Sequence, residues 1–216
     1  MQYSAFLRAF IPWQRSGLAT LALLVWALVG TLPAHAQERA LNKEVLVAAP
    51  QAAVWQAWTS RDGIVSFFAP DAVVDARVGG AFHIHFDPGA PPGLKGADDS
   101  RFLALQAPRM LSFDWNAPPS LPEARAQRTF VVVRLHAVDS QTTRVTLHHT
   151  GWGDGGEWDR AYAYFDRVWG AVLGNLKKRF DSGPQDWTAW LGQLEAARQR
   201  ARTAATAASA ASAPSR

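Results

Sequence analysis

The stretch from Gly151 to Phe180, GWGDGGEWDRAYAYFDRVWGAVLGNLKKRF, decides the fold because it predicts one long helix with an aromatic face. Its large apolar residues recur at alternating spacings of four and three, which places them on one side of a helix with 3.6 residues per turn. They are Trp158, Tyr162, Phe165, Trp169, Val172 and Leu176. Such a face either packs into a core or forms one wall of a cavity.

Charged residues mark the two ends of this helix. Asp154, followed three residues later by Glu157, resembles a capping box at the start. The cluster from Lys177 to Arg179 lies where positive charge is favourable, at a helix C-terminus. We therefore expect the helix to end near Phe180, before Gly183.

The chain before this helix predicts a strand, two short helices and a meander of strands. The alternation from Leu41 to Val47 indicates a first strand. Pro50 opens a helix in which Trp55 and Trp58 share a face, and a second short helix is expected within residues 61–68. Six further alternating runs, separated by turn residues, predict antiparallel strands. They are Val73 to Val78, Ala81 to Phe86, Arg101 to Gln106, Met110 to Trp115, Arg128 to Val138 and Thr143 to His149.

Most of these strands have one apolar face. Phe82, Ile84 and Phe86 share one side of their strand, and the later runs continue the alternation. A single curved sheet with one apolar face needs a cover, which the long aromatic helix can provide. The sequence thus predicts an α+β fold, with the loops at residues 87–100 and 116–127 at the rim of any opening.

The start of the chain has the pattern of a secretory signal peptide. Arg8 and Arg15, the apolar run from Leu18 to Leu32 and an A-x-A site ending at Ala36 predict a signal peptide over residues 1–36. We expect cleavage after Ala36 and a periplasmic or secreted protein with no stable membrane anchor. An uncleaved anchor is the alternative, although the apolar run is short for a membrane span.

The remaining chain divides into a domain and a C-terminal extension. The expected domain covers residues 41–182, and residues 183–200 are expected to hold one extra helix. Residues 201–216 are rich in Ala, Ser and Thr, and this composition predicts a disordered tail.

The composition excludes several classes of protein. No cysteine occurs, so there is no disulfide framework and no thiol catalysis. The net charge of +4 resides in the two ends, because basic and acidic residues balance between residues 41 and 182. No stripe of basic residues indicates nucleic-acid binding. The sequence also contains no nucleophile elbow, phosphate-binding loop or dinucleotide-binding fingerprint, so we expect no cofactor.

Five segments, each weak by itself, together carry a family resemblance. They are Val47 to Thr59, Val78 to Phe82, Pro108 to Trp115, Thr142 to Trp152 and Glu157 to Leu173. In this order and spacing they resemble the START-like, helix-grip superfamily, also called SRPBCC or Bet v 1-like. Within it they are similar to the branch of the C-terminal domain of the activator of Hsp90 ATPase. The resemblance covers residues 41–180.

The resemblance implies a helix-grip fold, in which a curved antiparallel sheet wraps around the long C-terminal helix and two short helices follow the first strand. It also implies an apolar cavity between sheet and helix that accepts lipids, polyketides or other hydrophobic molecules. Activities in the superfamily extend from carriers and sensors to cyclases and oxygenases, so the fold alone does not decide the function.

Three histidines are candidates for chemistry. His83 and His85 lie two apart on one strand and could chelate a metal with a carboxylate from elsewhere. Because the phenylalanines of that strand occupy its other face, both histidines are expected on the outer, solvated side, and no metal site is expected. His149 is expected to point inward, either as a ligand-orienting group or general base, or as a structural histidine bonded to backbone carbonyls. The shortage of converging partners favours the structural interpretation.

We expect an exported, non-enzymatic protein that binds a hydrophobic small molecule of lipid or aromatic type between sheet and helix. Eight rings are expected to line or close the cavity. They are Trp55, Trp58, Phe82, Phe113, Trp115, Tyr162, Phe165 and Trp169. One alternative is a cyclase, isomerase or hydrolase that uses His149, and another is a chaperone-like module whose loops or tail contact a protein partner.

Overall fold

The structure, a computed structural model, describes residues 38–211, so the predicted signal peptide lies outside the described residues. The strands are β1 (Leu41–Val47), β2 (Asp71–Val74), β3 (Phe82–His85), β4 (Gly96–Ala97), β5 (Phe102–Gln106), β6 (Met110–Trp115), β7 (Thr129–Ala137) and β8 (Thr143–Thr150). The helices are α1 (Gln51–Thr59), α2 (Arg61–Val65), α3 (Pro122–Arg125), α4 (Gly156–Ser182) and α5 (Thr188–Ala211). None of these described helices is long and apolar enough to cross a membrane.

The predicted α+β, helix-grip architecture is confirmed, with a curved antiparallel sheet and a long helix near the end of the chain. The strands divide into two sheets, however, where the sequence predicted one. The larger sheet has the order β1-β8-β7-β6-β5, and the smaller has the order β2-β3-β4. Between β3 and β5 the ladder is reduced to the bridge Ala81↔Arg101 and a few adjoining backbone hydrogen bonds. The run of backbone hydrogen bonds between β3 and β5 is therefore too short to join the two sheets into one.

Helix α4 packs its predicted aromatic face onto the inner side of the large sheet. Phe165, Trp169 and Leu176 are all buried on this helix. Antiparallel register aligns Val131 with His149 and Val133 with Leu147, so alternate residues of β7 and β8 form one inward layer. Full burial of each such apolar side chain contributes about 1.5–3 kcal/mol to folding.

The start of α4 differs from the predicted capping box. The helix begins at Gly156 behind Gly155, and no side chain caps it. Both glycines have positive φ angles, 68° and 52°, and this left-handed turn leads the chain into the helix and leaves Asp154 outside the cap position. Glu157 instead accepts a hydrogen bond from the backbone N–H of Ala124 in α3, at 3.0 Å. Its carboxylate therefore joins two helices and satisfies a first-turn N–H of α3, not of its own helix.

Helix α5 is longer than the sequence predicted. It begins at Thr188 and continues to Ala211, whereas disorder was expected from residue 201. The run of alanines explains the difference, because alanine has the highest intrinsic helix propensity and can extend a helix that is already nucleated. Residues 212–216 lie beyond the described part of the chain.

Gly63 and Gly170 differ in the space around them, and replacing each with alanine tests the packing of the fold. A Cβ on Gly63 would lie 2.5 Å from the carbonyl oxygens of Gln56 and Ala57, whereas a Cβ on Gly170, exposed on α4, would meet no atom within 4 Å. We predict that Gly63→Ala lowers the free energy of unfolding by about 1–3 kcal/mol through overpacking. Gly170→Ala should raise it by about 0.5–1 kcal/mol, because alanine is the better helix former. Urea unfolding measures both, and equal effects of the two substitutions would contradict the packing described.

Candidate ligand-binding cavity

A buried chain of hydrogen bonds ties α4 to three strands of the large sheet. The indole N–H of Trp169 on α4 donates to His149 Nδ1 on β8, at 2.8 Å. His149 Nε2 lies 2.7 Å from Thr129 Oγ1 on β7, and Thr129 Oγ1 donates to the carbonyl oxygen of Trp115 on β6, at 3.1 Å. The sequence correctly indicated that His149 points inward, and its side chain is fully buried.

These partners determine the state of the His149 ring. An indole N–H can only donate, so His149 Nδ1 accepts and the proton resides on Nε2, which donates to Thr129. Burial, assisted by the nearby His148, lowers the pKa of His149 to about 3. The ring is thus neutral at pH 7 with both nitrogens engaged. Its partners are side chains and not the backbone carbonyls that we expected.

A cavity of about 510 Å³ lies beside this network, between α4, the segments that follow β3 and β6, and the start of α5. Its lining is mainly aromatic. The core contributes Phe68, Phe86, Trp115, Phe165 and Trp169. Tyr164 on α4 and Trp187 and Trp190 after α4 add three more rings. The cavity offers flat apolar surfaces from several directions.

Two loops that were expected to rim an opening line this cavity, and Arg125 of α3 joins them. Its guanidinium donates to the carbonyl oxygens of Gly93 and Gly96 in one loop, at 2.6 and 2.7 Å. It also donates to the carbonyl of Ala117 in the other loop, at 2.6 Å. Because the planar guanidinium of Arg125 donates to three backbone carbonyls, it holds the two loops in a defined position relative to each other.

Three further polar side chains of the lining have no such partners. Asn116 is buried, and Lys95 and Asn175 are half-buried. Within residues 38–211 the side chains of these three residues make neither a hydrogen bond nor an ion pair with protein. The cavity lining therefore includes two amides and one ammonium group that no protein group engages.

The structure separates the eight rings that the sequence grouped together. Trp115, Phe165 and Trp169 line the cavity. The other five lie in core packing, because they contact neighbouring rings and aliphatic side chains between the sheets and helices. They are Trp55, Trp58, Phe82, Phe113 and Tyr162. Phe82, for example, has its ring centroid 4.5 Å from that of Phe113.

Several lining residues were not identified from the sequence. Phe68 and Phe86 were placed at element ends, where an alternating pattern carries little information. Trp187 and Trp190 did leave a signal, since two large rings spaced by three stand in a segment of mostly small or polar residues. Such a pair is typical of a segment that docks onto another surface.

One histidine of the pair on β3 lies in a different environment from the one predicted, whereas His83 is partly exposed. His85 is buried and not solvated, and its Nδ1 lies 2.9 Å from Asp71 Oδ2. The reason is the pairing of β2 with β3, which places Asp71 directly opposite His85. Within residues 38–211 no group of three or more His, Asp or Glu side chains is arranged to hold a metal ion.

Comparisons with known proteins agree on the fold. Residues 48–181 match the family described as activator of Hsp90 ATPase homolog 1-like protein. Protein MLL2253 from Mesorhizobium loti is 21% identical, with 68% of this chain and 100% of that chain covered and a TM-score of 0.54. The Aha1 dimer from Colwellia psychrerythraea is 20% identical, with 67% of this chain and 98% of that chain covered and a TM-score of 0.52. CalU16 from Micromonospora echinospora is 21% identical, with 72% of this chain and 83% of that chain covered and a TM-score of 0.51. A search of curated proteins finds no match.

The buried His149 makes stability depend on pH in a defined direction. The unfolded chain takes up a proton at the ordinary histidine pKa of 6.5, whereas the folded chain does so only near pH 3. Protonation therefore favours the unfolded state as the pH falls through this window, and stability should drop by about 2 kcal/mol between pH 7 and pH 5. We predict that His149→Gln removes this part of the pH dependence.

The control for this prediction is the neighbouring His148, which is exposed and bonded to Asn42. His148→Gln should keep the pH dependence of the unmodified chain. Urea unfolding at the two pH values measures the difference, and an identical loss of stability in His149→Gln would contradict the assignment of the neutral ring.

Proposed function

Because the chain belongs to the family of activator of Hsp90 ATPase homolog 1-like proteins, we propose that it binds a hydrophobic small molecule in the cavity beside α4. Family and fold together support a ligand-binding or interaction module. The cavity is the observation that favours ligand binding. Its volume, about 510 Å³, lies within the range of about 300–1,000 Å³ that small-molecule sites occupy.

The energetics of the cavity suit an apolar ligand. Removal of apolar surface from water contributes about 25 cal/mol for each Å². A lining dominated by rings can therefore supply affinity through shape and area, without a charged anchor. The three unpartnered polar side chains, Lys95, Asn116 and Asn175, would orient a ligand that carries a hydrogen-bonding group at one end.

The mouth of the cavity supports the same proposal. Leu94, Tyr164 and Trp190 line it, and their exposed fractions are 49%, 36% and 44%. Large apolar side chains that are exposed together around a concave site are typical of binding surfaces. They give an apolar molecule a favourable path into the interior.

The alternative enzyme, with His149 as general base, has less support. A general base needs a free lone pair within reach of the substrate, whereas both ring nitrogens of His149 are engaged with Trp169 and Thr129. Its lowered pKa, about 3, also makes it a weak base at neutral pH. The arrangement favours a structural role for this histidine.

Export remains part of the proposal and rests on the sequence pattern of residues 1–36. Expression of the full chain in a bacterium with a secretory pathway should yield a periplasmic protein whose N-terminal residue is Gln37. N-terminal sequencing of the periplasmic fraction measures this directly. Recovery of the intact chain from the cytoplasm alone would contradict it.

Blocking the cavity tests the proposed site. Ala171 lines the cavity from α4 and is itself exposed, so a larger side chain there can enter the cavity without disrupting the core. We predict that Ala171→Trp weakens the binding of N-phenyl-1-naphthylamine, a neutral fluorescent probe, at least tenfold. Fluorescence titration of the purified domain provides the dissociation constants.

The matched control is Ala163→Trp, the same substitution at an exposed position of α4 that does not line the cavity. Its affinity for the probe should stay within twofold of the unmodified chain. Equal affinities in the Ala171→Trp and Ala163→Trp variants would contradict the location of the site.

A further inference from the structure

The chain beyond α4 folds back against the body of the domain. It lies outside the part that matches the family, which ends at residue 181. The backbone N–H of Gln185 donates to the carbonyl of Ser66, at 2.8 Å, and the indole N–H of Trp187 donates to the carbonyl of Val65, at 2.6 Å. These bonds fasten the segment to the end of α2.

A second set of contacts fastens the first turns of α5 to the loop after β3. The indole N–H of Trp190 donates to the carbonyl oxygen of Phe86, at 2.7 Å. Two turns further along, Arg198 forms an ion pair with Asp87. Residues 184–198, called here the C-terminal strap, are thus attached at both ends, and the cavity lies beneath them.

The indoles of the strap are arranged to present apolar surface. Each indole has one polar atom, and in Trp187 and Trp190 that atom is already bonded to a backbone carbonyl. Both rings line the cavity, yet Trp190 is still 44% exposed. An indole that is held by its N–H and open on its ring is a flat apolar platform.

We propose that the C-terminal strap is a ligand-selecting wall of the cavity, in which Trp187 and Trp190 favour flat, ring-containing molecules over extended alkyl chains. This inference rests on the proposed function. Its physical basis is that ring faces attract other rings beyond the effect of buried area, whereas an alkyl chain gains from area alone. The strap lies outside the family match, so the selection is a property of this chain's own extension.

Two neutral probes separate these contributions. N-phenyl-1-naphthylamine is flat and aromatic, and 1-dodecanol is a flexible chain. We predict that Trp190→Ala weakens binding of the aromatic probe about tenfold, and that it weakens binding of dodecanol, which loses buried area alone, only about two- to threefold. Isothermal titration calorimetry with the full mature chain measures both affinities. Trp190 is substantially exposed, so its replacement should leave the fold intact.

The control is Leu191→Ala, which truncates the neighbouring residue of α5. Leu191 is 39% exposed and does not line the cavity, so this variant should bind both probes as the unmodified chain does. Equal weakening by Trp190→Ala and Leu191→Ala would overturn the inference. An equal loss of affinity for the two probes in Trp190→Ala would also overturn it, because it would show that the strap does not favour ring-containing ligands.

The Ala171→Trp variant, measured alongside, separates this inference from the proposed function. Blocked binding in Ala171→Trp with unchanged binding in Trp190→Ala would leave the cavity as the site and reject the strap. Unchanged binding in both variants would reject both proposals. Blocked binding in Ala171→Trp with a selective loss of the aromatic probe in Trp190→Ala is the result we expect.

Discussion

The hydrogen-bond chain from Trp169 through His149 and Thr129 to Trp115 is the constraint on which the cavity depends. It joins one turn of α4 to β8, β7 and β6, and all four residues are buried. Each bond adds about 0.5–1.5 kcal/mol net, but an unpaired buried partner costs about 1–3 kcal/mol. Loss of any member therefore penalises the others. Trp115 and Trp169 also line the cavity, so the same hydrogen bonds fix the positions of two of its lining residues.

The space beside this chain is enclosed by segments that follow strands of both sheets. The loops after β3 and β6 line it together with α4. Arg125 holds these loops together through backbone carbonyls, and the C-terminal strap covers the remaining side. The cavity thus has walls of three kinds, which are a rigid helix, two joined loops and an added segment. A ligand would contact all three.

The sequence predicted the parts of this account that depend on local periodicity. The spacing of Phe165 and Trp169 indicated the buried face of α4, and the alternation in β8 indicated that His149 points inward. Periodicity could not distinguish a ring in the core from a ring on a cavity wall, since both face inward, and so Trp58 and Phe82 were grouped with the lining.

The remaining differences depend on contacts between distant segments. Burial of His85 follows from its register with Asp71, which no local pattern encodes. The place of Trp187 and Trp190 depends on carbonyls more than 100 residues earlier in the chain. The capping box at Asp154 failed for a local reason, because Gly155 before the helix and Gly156 at its first position both have positive φ angles. Sequence pattern thus identified the elements of the fold, and the site required the tertiary structure.

The central claim is that a hydrophobic ligand occupies the space between α4 and the C-terminal strap, and indole resonances test it most directly. Each tryptophan contributes one indole N–H signal to the spectrum of ¹⁵N-labelled protein. On titration with N-phenyl-1-naphthylamine, the signals of Trp169, Trp187 and Trp190 should shift together with one saturation curve. The signal of Trp55, which packs against the core and does not line the cavity, should not move. A shift confined to Trp55, or no saturable shift at all, would contradict a ligand site at this cavity.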